Sequence, residues 1–184
     1  MYVESCLGGT NETMRLHCVA LLCAFSACAF GQAAKGIQGD ILSNFDDTQK
    51  KIISLAEAVP AEKYTWRPAE GVRSISEVYM HIAGANYMIP AGLGVKPPAG
   101  LTRDMEKTVT DKAKVIEHLK ASFEHARKVL AGTEDLSKPT KLFGRDNTYG
   151  GVELLIVTHL HEHLGQSIAY ARMNKVTPPW SGGN

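Results

Sequence analysis

His159 and His163 carry the clearest chemical signal in the sequence. They lie in Thr158-His159-Leu160-His161-Glu162-His163-Leu164-Gly165-Gln166, where the apolar periodicity predicts a helix. Residues at this spacing project from one helix face, one turn above the other. The same spacing assigns Val152, Leu155, Ile156, Ala169, Tyr170 and Met173 to that face. Imidazoles on an apolar stripe cost free energy unless a partner satisfies them. A transition metal is the simplest partner for two of them.

Two histidines alone hold a metal weakly, so a third ligand is expected from another helix. His161 lies about 200° around from His159, at roughly 100° per residue, and points away. His118 is out of line with the apolar face of its helix, and His125 lies at the edge, facing solvent. His81 borders an apolar stripe mid-helix, in line with Val78, Ala85 and Met88. It is the third ligand that the helix geometry selects. Three neutral imidazoles leave coordination positions open, the pattern of a catalytic rather than a closed structural site. Zn and Ni suit such a set first, with Fe, Mn and Cu as alternatives.

The elements that must position these residues are four helices. The first is predicted from about Gln38 to Ala58, with Ile41, Phe45, Thr48, Ile52 and Leu55 inward and Pro60 beyond its end. The second starts at Ser74, where Ser74-Ile75-Ser76-Glu77 is a capping-box pattern, and stops at Pro90. The third spans about Asp111 to Leu130, with Gly132 after it, and the fourth about Val152 to Asn174. Long loops, Pro90 to Thr110 and Thr133 to Gly151, join them. A loop of the first length in a compact domain is commonly functional. No alternating strand pattern of useful length appears. The expected fold is all-α, a four-helix bundle whose long connecting loops allow a crossover topology.

Four stretches taken together are more specific. They are Tyr64-Thr65-Trp66-Arg67-Pro68, Gly71-Val72-Arg73-Ser74-Ile75-Ser76-Glu77, His81-Ile82-Ala83-Gly84-Ala85, and His159 through Gln166. Their order and spacing resemble the DinB (damage-inducible B) superfamily, related to thiol-dependent S-transferases of the YfiT and maleylpyruvate isomerase type. The resemblance covers roughly residues 36–179. It implies a four-helix bundle with a divalent metal on three histidines, which places ligand roles on His81, His159 and His163. Leu164 departs from the resemblance: many members carry arginine there.

Glu162, three residues from His159 and near the rim of the histidine face, is the candidate proton acceptor or orienting carboxylate, with a solvent-facing helix glutamate as the alternative. His159-Leu160-His161-Glu162-His163 also fits the inverted zinc-protease pattern. Such proteases need a further carboxylate ligand downstream, and the 21 residues after His163 contain neither Asp nor Glu. Gln166 is placed to hydrogen-bond into the site. Tyr64 and Trp66 are expected to pack a loop onto the bundle, Tyr87 to pack between helices, and Arg67 and Arg73 to form surface ion pairs.

Composition narrows the partners. The formal charge is +1, with 20 basic and 19 acidic residues. There is no basic run or stripe of the kind that binds nucleic acid. The four cysteines, Cys6, Cys18, Cys23 and Cys28, all precede residue 29. Thiolate ligands, a cysteine nucleophile and a disulfide framework are therefore excluded from the bundle. From Met14 the chain reads as a secretory signal: a short positive start, an apolar run from Cys18 to Phe30, and cleavage after Gly31. Residues 1–13 read as an extension upstream of a start at Met14. The apolar run is too short for a stable membrane span. Lipoprotein processing at Cys28 is the alternative. The mature domain would be residues 32–184, exported and periplasmic.

Two functions follow as expectations. One is a metal-dependent enzyme acting on a small molecule, a hydrolase by default in an exported protein, or a thiol-dependent S-transferase as the resemblance implies. The other is a non-catalytic module that binds a metal or small ligand. Either allows a homodimer.

Overall fold

The computed structural model describes residues 36–182. The expected signal segment, with its start at Met14 and its processing at Gly31 or Cys28, lies outside the described residues. Four long helices make the body: α1 (Ile37–Ala58), α2 (Ile75–Met88), α4 (Lys112–Ala131) and α5 (Tyr149–Met173). α3 (Met105–Thr108) is a short helix between α2 and α4, and strands β1 (Pro139–Leu142) and β2 (Arg145–Thr148) lie between α4 and α5.

Local chemistry sets the helix ends. Ser74 caps α2: its hydroxyl accepts from Glu77 N, and the Glu77 carboxylate accepts from Ser74 N at 2.7 Å. Both halves of the expected capping box are therefore made. Asp111 caps α4 through Lys114 N, and Thr148 caps α5 through Gly151 N. The chain turns out of α1 at Val59, before Pro60.

α1 packs against α5 and α4, and α2 packs against α4 and α5. Consecutive helices α1 and α2 therefore sit diagonally across the bundle, which the long connections permit. The core lies where the four helices meet. Phe45 and Phe123 cross edge to face at 5.7 Å, and Ile52, Ile82, Leu119 and Leu160 are fully buried around them. Each such side chain contributes about 1.5–3 kcal/mol of burial. The segment before α2 is pinned by Tyr64, whose hydroxyl donates to Ala56 O at 2.7 Å and whose carbonyl accepts from Ser76 N. Trp66 crosses Tyr170 edge to face at 5.5 Å. Both aromatics pack this loop onto the bundle as expected. Arg67 pairs with Glu77 on the surface at 3.0 Å.

Three expectations need correction. The Thr133–Gly151 connection contains an antiparallel hairpin, Pro139↔Thr148 to Leu142↔Arg145. Its strands are four residues each and largely polar, so alternation could not reveal them. The Pro90–Thr110 loop holds a 3-10 turn (Ile89–Leu93) and α3. Finally, the inward face of α5 is rotated from the expected one. Leu155, Ala169 and Met173 are exposed, whereas Leu160, Leu164 and Ser167 are buried. Residues 152–157 are apolar nearly all round, and such a run does not fix the helix rotation by itself. Among the described residues no helix is long and apolar enough to cross a membrane.

Candidate metal centre

The rotation of α5 treats its two histidines differently. His163 lies within the buried stripe at 6% exposure, and His159 sits at the stripe's edge, half-buried. His81 approaches from α2 and is also half-buried. The three rings converge: His159 Nε2 is 3.2 Å from His81 Nε2 and 3.1 Å from His163 Nε2. One ligand nitrogen from each ring lies within 4.8 Å of the others. The three residues singled out in the sequence are thus brought to one point across the α2–α5 contact.

Two of the outer ring nitrogens are held by neighbours. His81 Nδ1 donates to Glu106 Oε2 at 3.0 Å. A carboxylate only accepts, so this bond leaves the His81 Nε2 lone pair facing inward. Arg73 Nε donates to the other Glu106 oxygen at 2.7 Å. His163 Nδ1 donates to Gln166 Oε1 at 2.9 Å, while Gln166 Nε2 donates to the Tyr170 hydroxyl at 3.0 Å. Gln166 therefore enters the site, as its position one turn on suggested. Glu106 was not singled out in the sequence. It lies on the short α3, 25 residues from His81, where no periodicity announces a contact.

The electrostatics favour neutral rings at His159 and His163. Burial, with the rings of His163 and His81 and the Arg73 charge, lowers the His159 pKa to about 4. Burial also lowers His163, against the opposing effect of the hydrogen bond it donates to Gln166. Burial alone would raise Glu106, but the hydrogen bonds and charges of Arg73 and His81 outweigh it and hold its carboxyl below the usual range.

This donor set fits a divalent transition metal. Inward lone pairs at such distances repel, and one proton on His159 Nε2 serves only one neighbour at a time. A cation serves all three. Nitrogens about 2.0–2.1 Å from a zinc-sized ion lie about 3.3 Å apart at tetrahedral angles and about 2.9 Å apart at right angles. The observed 3.1 and 3.2 Å fall between the two. The orienting acceptors on His81 and His163 are the usual second layer of a histidine metal site.

A cavity of about 510 Å³ adjoins the rings and is lined by His81 and His159. Its walls are mainly apolar, including Met80, Met88, Ile89 and Leu155, with Arg73, Arg103 and Glu106 among the polar lining.

The remaining candidates lie elsewhere. Glu162 is exposed and outside the group of three, and it does not line the cavity. Its charge nevertheless acts on the His163 ring. His161 points away from the site, 3.2 Å from Thr48 Oγ1. His118 lines the cavity without joining the cluster. His125 is half-buried against the ring of Tyr87, rather than facing solvent as expected.

The chain is similar to known proteins over most of this fold. A DinB-like protein from Bacillus cereus superposes with a TM-score of 0.68 at 20% identity, over 78% of this chain and 95% of that one. A DinB-like protein from Bacillus subtilis does so with a TM-score of 0.61 at 24% identity, over 75% and 93%. No curated protein matches the chain. The family model of the DinB superfamily matches residues 44–167, which include α2, the hairpin and all three converging histidines. On that match, the chain belongs to the DinB superfamily.

Proposed function

We propose that the protein is a metal-dependent enzyme, a hydrolase or a thiol-dependent transferase, whose divalent transition metal is held by His81, His159 and His163. The carrying observation is the convergence of three imidazole nitrogens beside a cavity large enough for a small molecule. When bound, such an ion supplies a Lewis acid and lowers the pKa of a water or thiol at its open position. The chain's own residues do the rest. Glu106 and Gln166 fix the His81 and His163 rings, and Arg73 fixes Glu106. The apolar walls of the cavity limit water around a bound substrate.

The test starts with untagged protein. One equivalent of Zn, Ni or a related metal is expected by elemental analysis, with loss in His159→Ala plus His163→Ala. Metal-dependent turnover of activated esters, or of an electrophile with a low-molecular-weight thiol, would then separate the two chemistries. Protein without stoichiometric metal would overturn the reading.

One observation favours the second reading, a non-catalytic binding module. Glu106 is the one carboxylate lining the cavity, and Arg73 and His81 already engage it. Metal-loaded protein that binds ligands but turns over neither substrate class would support that module.

We also propose export, on the pattern of residues 14–31 alone. The mass of the mature N-terminus distinguishes cleavage after Gly31 from lipidation at Cys28.

A further inference from the structure

The hairpin turns through only two residues, Phe143 and Gly144, between the paired Leu142 and Arg145. Both have positive φ, 51° and 79°. This is the backbone of a type I′ turn, which favours Asn or Asp followed by Gly. A bulky aromatic in the left-handed region is an outlier, and strain of this kind gathers at ligand sites. Phe143 is also 71% exposed and lines the cavity beside His81 and His159. The hairpin holds it there firmly. Thr140 Oγ1 donates to Gly92 O at 2.7 Å, and Leu142 is buried near Gly92. An exposed aromatic on a strained and anchored tip is a surface kept for contact.

Charge defines the other half of the site. Two guanidinium groups, Arg73 and Arg103, line the cavity against one carboxylate, Glu106. Glu106 is engaged by Arg73. Among the described residues Arg103 has no carboxylate partner. Apolar walls with a surplus cation complement a mainly apolar molecule that carries one negative group.

We propose that the cavity binds an apolar molecule carrying one anionic group, with Phe143 as an apolar wall and Arg103 as its charge contact. The inference deepens the proposed function and rests on that reading only in taking the cavity as the substrate chamber of the same site.

The experiment is calorimetric titration of the untagged full chain, metal-loaded and after chelation, with octanoate, 1-octanol and acetate. Octanoate should bind saturably in both forms, acetate should not bind, and 1-octanol should bind about tenfold more weakly than octanoate. Phe143→Asn installs the residue the turn prefers, so the thermal midpoint should not fall while octanoate affinity drops about tenfold. Arg103→Ala should remove the preference for octanoate over 1-octanol. Absence of saturable octanoate binding, equal affinity for 1-octanol, or unchanged affinity in either variant would overturn the proposal. Octanoate binding by protein that takes up no metal would sink the metal reading and leave this one standing. Stoichiometric metal without octanoate binding would do the reverse.

Discussion

Glu106 accepts a hydrogen bond from His81 Nδ1 at 3.0 Å while its second oxygen accepts from Arg73 Nε at 2.7 Å. The ion pair with Arg73 holds the carboxylate, and the carboxylate turns the ring of His81 toward the other two histidines. Removing the negative charge while keeping the shape should therefore loosen the site without unfolding the bundle. In Glu106→Gln, metal affinity should fall about 10–100-fold, with the thermal midpoint of the chelated protein nearly unchanged. Competition with a chromogenic chelator measures the first, and thermal denaturation the second.

The pH dependence follows from burial of His159. Its pKa is lowered to about 4 in the folded, metal-free protein, against about 6.5 in an unfolded chain. Between these values the unfolded state binds the extra proton, so stability rises with pH across the window. Metal-free protein should lose stability as pH falls from about 6.5 toward about 4, and His163, lowered in the same direction, should add to the loss. Thermal midpoints of chelated protein across that range should show the slope, and His159→Ala should flatten it. An identical slope in the variant would refute this origin.

Gly92 marks where the hairpin meets the bundle. A Cβ there would lie 2.9 Å from Val152 Cγ2 and 3.1 Å from Leu142 Cδ1. Val152 is a branched side chain at full burial on α5 and has little room to give. Gly92→Ala should destabilise the protein by about 1–3 kcal/mol, measured by urea denaturation. It should also shift the hairpin that carries Phe143, and amide exchange over residues 139–148 should accelerate.

Glu162 tests how far a local motif can be trusted. It sits in a His-x-x-Glu-His arrangement, yet it is exposed and absent from the cavity lining. Glu162→Gln should retain one equivalent of metal and most of any turnover, within about threefold, because it removes only a solvent-exposed charge that neither joins the three histidines nor lines the cavity. Loss of turnover with metal retained would assign Glu162 a direct role.

Much of the architecture was legible in the sequence, because helices are governed by local rules. The Ser74–Glu77 box and Pro60 lie beside the ends they set, and the spacing of His159 and His163 alone put them on neighbouring turns. His81 was legible too, because it borders its helix's apolar stripe at mid-span. The tertiary structure decided what depends on contacts far apart in sequence. The rotation of α5 was settled by packing against α1 and α2, since its first turns are apolar on nearly every side. Glu106 reached His81 only because α3 folds back onto α2. The left-handed Phe143 breaks the turn preference that sequence reading relies on, and anchoring at Gly92 and Leu142 holds it in place. Periodicity and caps are encoded within one turn of chain; ring orientation and cavity walls arise only when separate elements are pressed together.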